Sequence, residues 1–147
     1  MRSLWLSRHS SPYSGTSMIT GSQYFGLMSH KENPSLDVMA NAEELLKRVN
    51  ALLDFLIPTN ISAVLVPVIN SGWRPPQHNA KVGGAPNSKH IFGQAIDLAD
   101  PMEELDGYLT DKILEDHNLW RESPIATKGW VHLQCVAPHS GNRTFIP

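Results

Sequence analysis

The chain has 147 residues, room for one domain with a modest core. Twelve Lys and Arg against fourteen Asp and Glu give a formal net charge of −2, so no strongly basic surface advertises nucleic acid. Cys135 is the only cysteine, which excludes an intramolecular disulfide and a cysteine-based structural zinc cluster, and no apolar run is long enough to cross a bilayer.

Residues 1–23 differ in character from the rest. Met1-Arg2-Ser3-Leu4-Trp5-Leu6 is too short an apolar run for a secretory signal, and the Ser-, Gly- and Thr-rich stretch from Ser7 to Ser22 predicts a flexible extension. Residues 24–147 are expected to form a single domain. Asn33-Pro34-Ser35 offers a helix start with Ser35 as cap. Val38, Ala42, Leu45, Leu46, Val49, Leu52, Leu53 and Leu56 then recur at helical spacing, which predicts a scaffold helix over about 36–57, ended by Pro58. Val64 to Ile69 reads as a strand that Pro67 makes irregular or confines to an edge, delivering Ser71 to Arg74. A loop carrying Pro, Gly and Asn runs from Pro75 to Asn87. Gln94 to Leu98 alternates as a short strand, and residues 103–115 predict a second helix. Trp130 to Val136 reads as another strand, with Trp130, His132 and Gln134 on one face and Val131, Leu133 and Cys135 on the other. Pro138 to Pro147 is a turn-rich closing segment. There is no internal repeat.

The most informative stretch is Ser88-Lys89-His90-Ile91-Phe92-Gly93-Gln94-Ala95-Ile96-Asp97. It sets an imidazole and a carboxylate seven positions apart across a glycine, and His132 follows forty-two residues after His90. A continuous strand would turn His90 and Asp97 to opposite faces, and Gly93 relieves this by permitting a bend or bulge. If the strands of Asp97 and His132 are neighbours, the three side chains converge. Taken singly, His132 reads as a packed side chain, Asp97 as a turn or cap and His90 as a loop residue. Taken together, two histidines and an aspartate suit zinc with one coordination position open to water.

The pattern Ser88-x-His90-x-x-Gly93-x-Ala95-x-Asp97, followed by Trp130-x-His132, resembles the zinc peptidases of the D-alanyl-D-alanine carboxypeptidase and L-alanyl-D-glutamate endopeptidase group. These cut bacterial peptidoglycan peptides and include phage members. Ser71-Gly72-Trp73-Arg74-Pro75, Asn79 and Gly83 to Asn87 extend the likeness upstream. The resemblance implies an α+β fold of the Hedgehog/D-Ala-D-Ala peptidase kind, a small antiparallel sheet carrying a zinc site and packed against helices. It implies Zn2+ as cofactor, His90, Asp97 and His132 as ligands, and Arg74 in contact with the substrate or the developing oxyanion. Ser88 is expected to hydrogen-bond near the site. Trp130, with Trp73 and Trp120, is a candidate aromatic wall for a peptide, against the commoner fate of core packing. His78 is a candidate for the cleft, with a surface-loop role more common; His9, His30, His117 and His139 lack ligand-like partners in sequence.

One position departs from the pattern. The related enzymes carry Glu or Asp three residues before the last histidine ligand, where this chain has Gly129. Glu122 is the nearest acidic residue upstream, ahead of Asp116 and Glu115, and a loop before Trp130 can fold it over the metal as general base. The competing reading of Glu122 is a solvated carboxylate paired with Arg121. The implied activity is zinc-dependent cleavage of peptidoglycan stem peptides, with no nucleic-acid partner. The alternatives are a non-catalytic zinc-bearing phage structural or cell-wall-binding domain, and a small binding protein whose histidines are structural. Lacking a signal, such an enzyme is expected to stay cytoplasmic until released, or to be carried in a virion, and to act at the bacterial cell wall.

Overall fold

The Ser35 hydroxyl accepts a hydrogen bond from the Val38 amide and caps a helix over Leu36–Leu56. The computed structural model describes residues 18–26 and 32–147. In them a short helix α1 (Gly21–Gly26) precedes that long helix, α2 (Leu36–Leu56). The apolar stripe anticipated in α2 is the one that is buried: Ala42, Leu45, Leu46, Val49, Leu52, Leu53 and Leu56 all lie in the core. Pro58 sits at the start of a 3-10 turn, Ile57–Thr59, that ends the helix. Arg48 projects from α2 and donates to the Asn118 and Cys135 carbonyls, both at 2.9 Å, tying the helix to the sheet.

The remaining elements are α3 (Ser62–Leu65), β1 (Ile69–Ser71), α4 (Pro76–Lys81), β2 (Ala95–Ala99), α5 (Glu104–Tyr108), α6 (Asp111–Asp116), β3 (Trp120–Glu122), β4 (Trp130–Gln134) and β5 (Thr144–Phe145). The strands form one five-stranded sheet in the order β1-β2-β4-β3-β5. Its pairs are antiparallel except β3 with β5, which is parallel. The fold is α+β as expected, with a mainly antiparallel sheet. Alternation along β2 and β4 sends Ile96, Leu98, Val131 and Leu133 into the core, and Asp97, His132 and Gln134 to the opposite face.

Several boundaries differ from the sequence reading. Val64 to Ile69 is not a strand. Its first part is the helical turn α3, closed by the Val66 amide on the Ser62 carbonyl, and the strand begins only at Ile69. The loop from Pro75 to Asn87 contains α4, begun by its prolines. The helix expected over 103–115 is two helices, because Leu109 leaves the helical region and Thr110 caps a new start on the Ile113 amide. The expected domain start at residue 24 falls inside α1. Ile19 is buried and exchanges hydrogen bonds with the Asn50 side chain, so contact with the core already begins at Ile19. The rest of the expected extension, residues 1–17 with His9, lies outside the described residues, as does His30. Among the described residues, no helix is long and apolar enough to cross a membrane.

Candidate metal centre

One row across the sheet carries the chemistry. Ser71 pairs with Asp97, and Asp97 with His132; the β3–β4 register then brings Glu122 alongside His132, and Glu122 pairs with Phe145. Directly opposed residues of neighbouring strands share a face with Cβ atoms about 5 Å apart, so the register alone brings Asp97 to His132. His90 joins from outside the sheet. Gly93, at φ +74°, turns the chain between His90 and β2, as its place in the motif predicts. A Cβ there would also press on the Val38 carbonyl of α2 at 2.6 Å. His90 is pinned twice to the preceding segment: its carbonyl accepts from the Arg74 amide, and its Nδ1 lies 2.8 Å from the Gly72 carbonyl.

The three expected ligands come together. His90 Nε2 is 3.2 Å and His132 Nδ1 is 2.9 Å from the same oxygen, Asp97 Oδ1. One donor atom from each residue lies within 4.8 Å of the other two, and all three side chains are buried. Donors at ~2.0–2.2 Å from a tetrahedral zinc stand about 3.3–3.6 Å from one another, so this set fits that ion with small adjustments. Burial works against charge on Asp97, but hydrogen bonds from His132 and His90 outweigh it and hold the carboxyl well below the ordinary carboxylate range. Burial likewise opposes protonation of His132, and the Asp97 carboxylate overrides it, raising the histidine above its usual value.

Arg74 reaches the same group. Its Nη2 is 3.2 Å from Asp97 Oδ2, its Nε donates to Ser71 Oγ at 2.8 Å, and its Nη1 to Asn79 Oδ1 at 3.4 Å. Asp97 is thus divided between the histidines at one oxygen and the guanidinium at the other. Guanidinium carries five N–H donors, so two remain beyond these three bonds.

A cleft of about 390 Å³ opens over the three ligands, within the usual range for ligand sites. Arg74, Ser88, Glu122 and Trp130 line it, as do Gln134 and Phe145. Glu122 Oε1 is 3.9 Å from His132 Nδ1. It gets there as the last residue of β3 and not on a loop folded over the site, while Arg121 turns away to a buried ion pair with Asp106 at 3.1 Å. Gly129, at φ +80°, makes the turn into β4, in a backbone region that residues with a side chain rarely adopt. Ser88 Oγ accepts from the His90 amide at 3.3 Å. Of the three tryptophans, only Trp130 lines the cleft: Trp73 is a core residue and Trp120 lies under the Arg143 guanidinium. His78 is not among the residues lining the cleft. Sequence reasoning missed Gln134 and Phe145. Gln134 was already on the His132 face of β4, whereas nothing local in Thr144-Phe145 signals a strand.

A buried His-Asp-His set at the floor of a cleft, with the Glu122 carboxylate beside it, is a donor set that could hold one metal ion. The family model described as Peptidase M15 matches residues 26–134, which include every residue of this set, and the chain belongs to that family of zinc metallopeptidases. A search among curated proteins finds no match.

Proposed function

We propose that this chain is a zinc metallopeptidase that cleaves peptidoglycan stem peptides, as a D-Ala-D-Ala carboxypeptidase or a related endopeptidase. The observation that carries the reading is a carboxylate, Glu122, beside the His90, Asp97 and His132 donor set inside one open cleft. In this reading His90, Asp97 and His132 hold the zinc through Nε2, Oδ1 and Nδ1. When bound, zinc supplies Lewis-acid chemistry, polarising the scissile carbonyl and making water acidic enough to attack near neutral pH.

The chain's own residues do the rest. Glu122 takes the proton from the attacking water and later delivers it to the leaving amine. Arg74 orients Asp97 through Oδ2, and its two remaining donors serve the substrate carboxylate or the developing oxyanion. Ser88 holds the His90 backbone, and Trp130 provides apolar wall for the peptide. Such a substrate sets the site of action at the bacterial cell wall, reached by release from the cell or by carriage in a virion.

A non-catalytic zinc-bearing domain is the rival, and Gly129 favours it because the customary acid is missing there. Glu122 answers that point by supplying an acid from the neighbouring strand. The test is release of D-alanine from a peptide ending in D-alanyl-D-alanine, alongside solubilisation of purified peptidoglycan, before and after chelation. Loss of both activities on chelation and their return with zinc support the proposal; a zinc-loaded protein inert on both substrates refutes it.

A further inference from the structure

We propose that Gln134 is a positioning residue that dictates which ring nitrogen of His132 faces the metal. This rests on the metal-centre reading above. Gln134 is 4% exposed and follows His132 by two residues, on the same face of β4. Its Nε2 donates to the Val136 carbonyl at 2.7 Å. Only the NH2 end of the carboxamide can serve a carbonyl, so that bond fixes the amide's orientation and leaves Oε1 as a pure acceptor. Oε1 lies 2.9 Å from His132 Nε2. An acceptor at that distance holds a proton on Nε2, so when the ring gives up its other proton to take a cation, the lone pair it offers is on Nδ1. Nδ1 is the nitrogen that faces Asp97 Oδ1 at 2.9 Å and Glu122 Oε1 at 3.9 Å.

His90 is set the other way round. Its Nδ1 meets the Gly72 carbonyl at 2.8 Å and its Nε2 faces Asp97. The two histidines therefore offer opposite nitrogens to one cation, and each choice traces to a main-chain carbonyl: Gly72 directly for His90, Val136 through Gln134 for His132. Without the Gln134 oxygen, a buried Nε2–H has no acceptor, and a flipped ring that withholds Nδ1 from the cation becomes competitive.

The test uses the full chain loaded with zinc, and reads ring nitrogens by 15N NMR and affinity by competition with a chelator of known strength. In the wild type, His132 is expected to show a slowly exchanging Nε2 proton and metal-bound Nδ1. Gln134→Met preserves length and apolar bulk but removes the acceptor; it should lose that proton signal and weaken zinc binding roughly 10- to 100-fold, the range for such outer partners. Gln134→Glu keeps an acceptor oxygen toward Nε2 but gives up the donation to Val136, so it should retain the Nε2 proton signal while binding zinc with an affinity between those of Gln134→Met and wild type. Coordination of His132 through Nε2, or Gln134→Met with unchanged affinity and proton signal, overturns the proposal. A wild-type chain that binds no zinc defeats the metal-centre reading itself, a result distinct from each of these.

Discussion

Replacing Glu122 with glutamine removes a charge and a proton acceptor while keeping the side chain's size against Phe145 and His132. The three donor groups are untouched, so one zinc per chain should remain bound in Glu122→Gln. The expected loss is kinetic. A positioned general base contributes about 10²- to 10⁴-fold to such a reaction, equivalent to ~2.7–5.4 kcal/mol of barrier at 1.36 kcal/mol per decade. The loss should fall on kcat with KM little changed, because Glu122 acts on the attacking water and is not assigned to substrate binding. Release of D-alanine under saturating substrate, with zinc measured on the same sample, gives both quantities. Activity within about threefold of wild type at full zinc occupancy, far outside the range for a lost base, would show that another group accepts the proton.

Asp97→Asn should abolish stable zinc binding and all activity, since one oxygen of Asp97 faces both histidines while the other holds Arg74; elemental analysis after gel filtration checks it. pH should act oppositely on the two forms of the protein. His132 is raised when folded, so in metal-free protein its pairing with Asp97 contributes fully below the unfolded value of ~6.5 and is lost as pH rises through the higher folded value. Zinc needs the neutral ring, so stabilisation by zinc should instead grow over that same rise, and melting curves with EDTA and with zinc from about pH 5.5 to 8.5 should diverge. Parallel curves would refute the pairing. Leu53→Ala, at a fully buried position of α2, should cost ~2–5 kcal/mol in denaturant unfolding, and less than about 1 kcal/mol would mean that α2 is not core scaffold.

The legible parts of this fold are those whose pattern is local. The stripe from Ala42 to Leu56 has the helical period because one face of α2 is buried, and β2 and β4 alternate because one face meets the core and the other the cleft. His90, Asp97 and His132 were readable because spacing, glycine and alternation agree at one place. The apolar run Val64 to Ile69 misled because Val66 and Val68 are exposed and α3 satisfies its backbone within its own turn. The strand that does form there, Ile69–Ser71, ends in polar residues because it borders the site. Gly107 and Thr110 carried the signal for the split into α5 and α6, a poor helix former and a strong cap, which the apolar period across 103–115 obscured. β3 and β5 have three and two residues, too few for any period to register, and their parallel pairing depends on contacts more than twenty residues apart. That is why Glu122 was anticipated as a neighbour of the metal but on a loop, and Phe145 not at all.

Anomalous scattering at the zinc edge, from crystals of the zinc-loaded chain, bears on the central claim most directly. A single strong peak is expected at ~2.0–2.2 Å from His90 Nε2, Asp97 Oδ1 and His132 Nδ1. No peak between those atoms, or a peak held by other residues, would contradict the account.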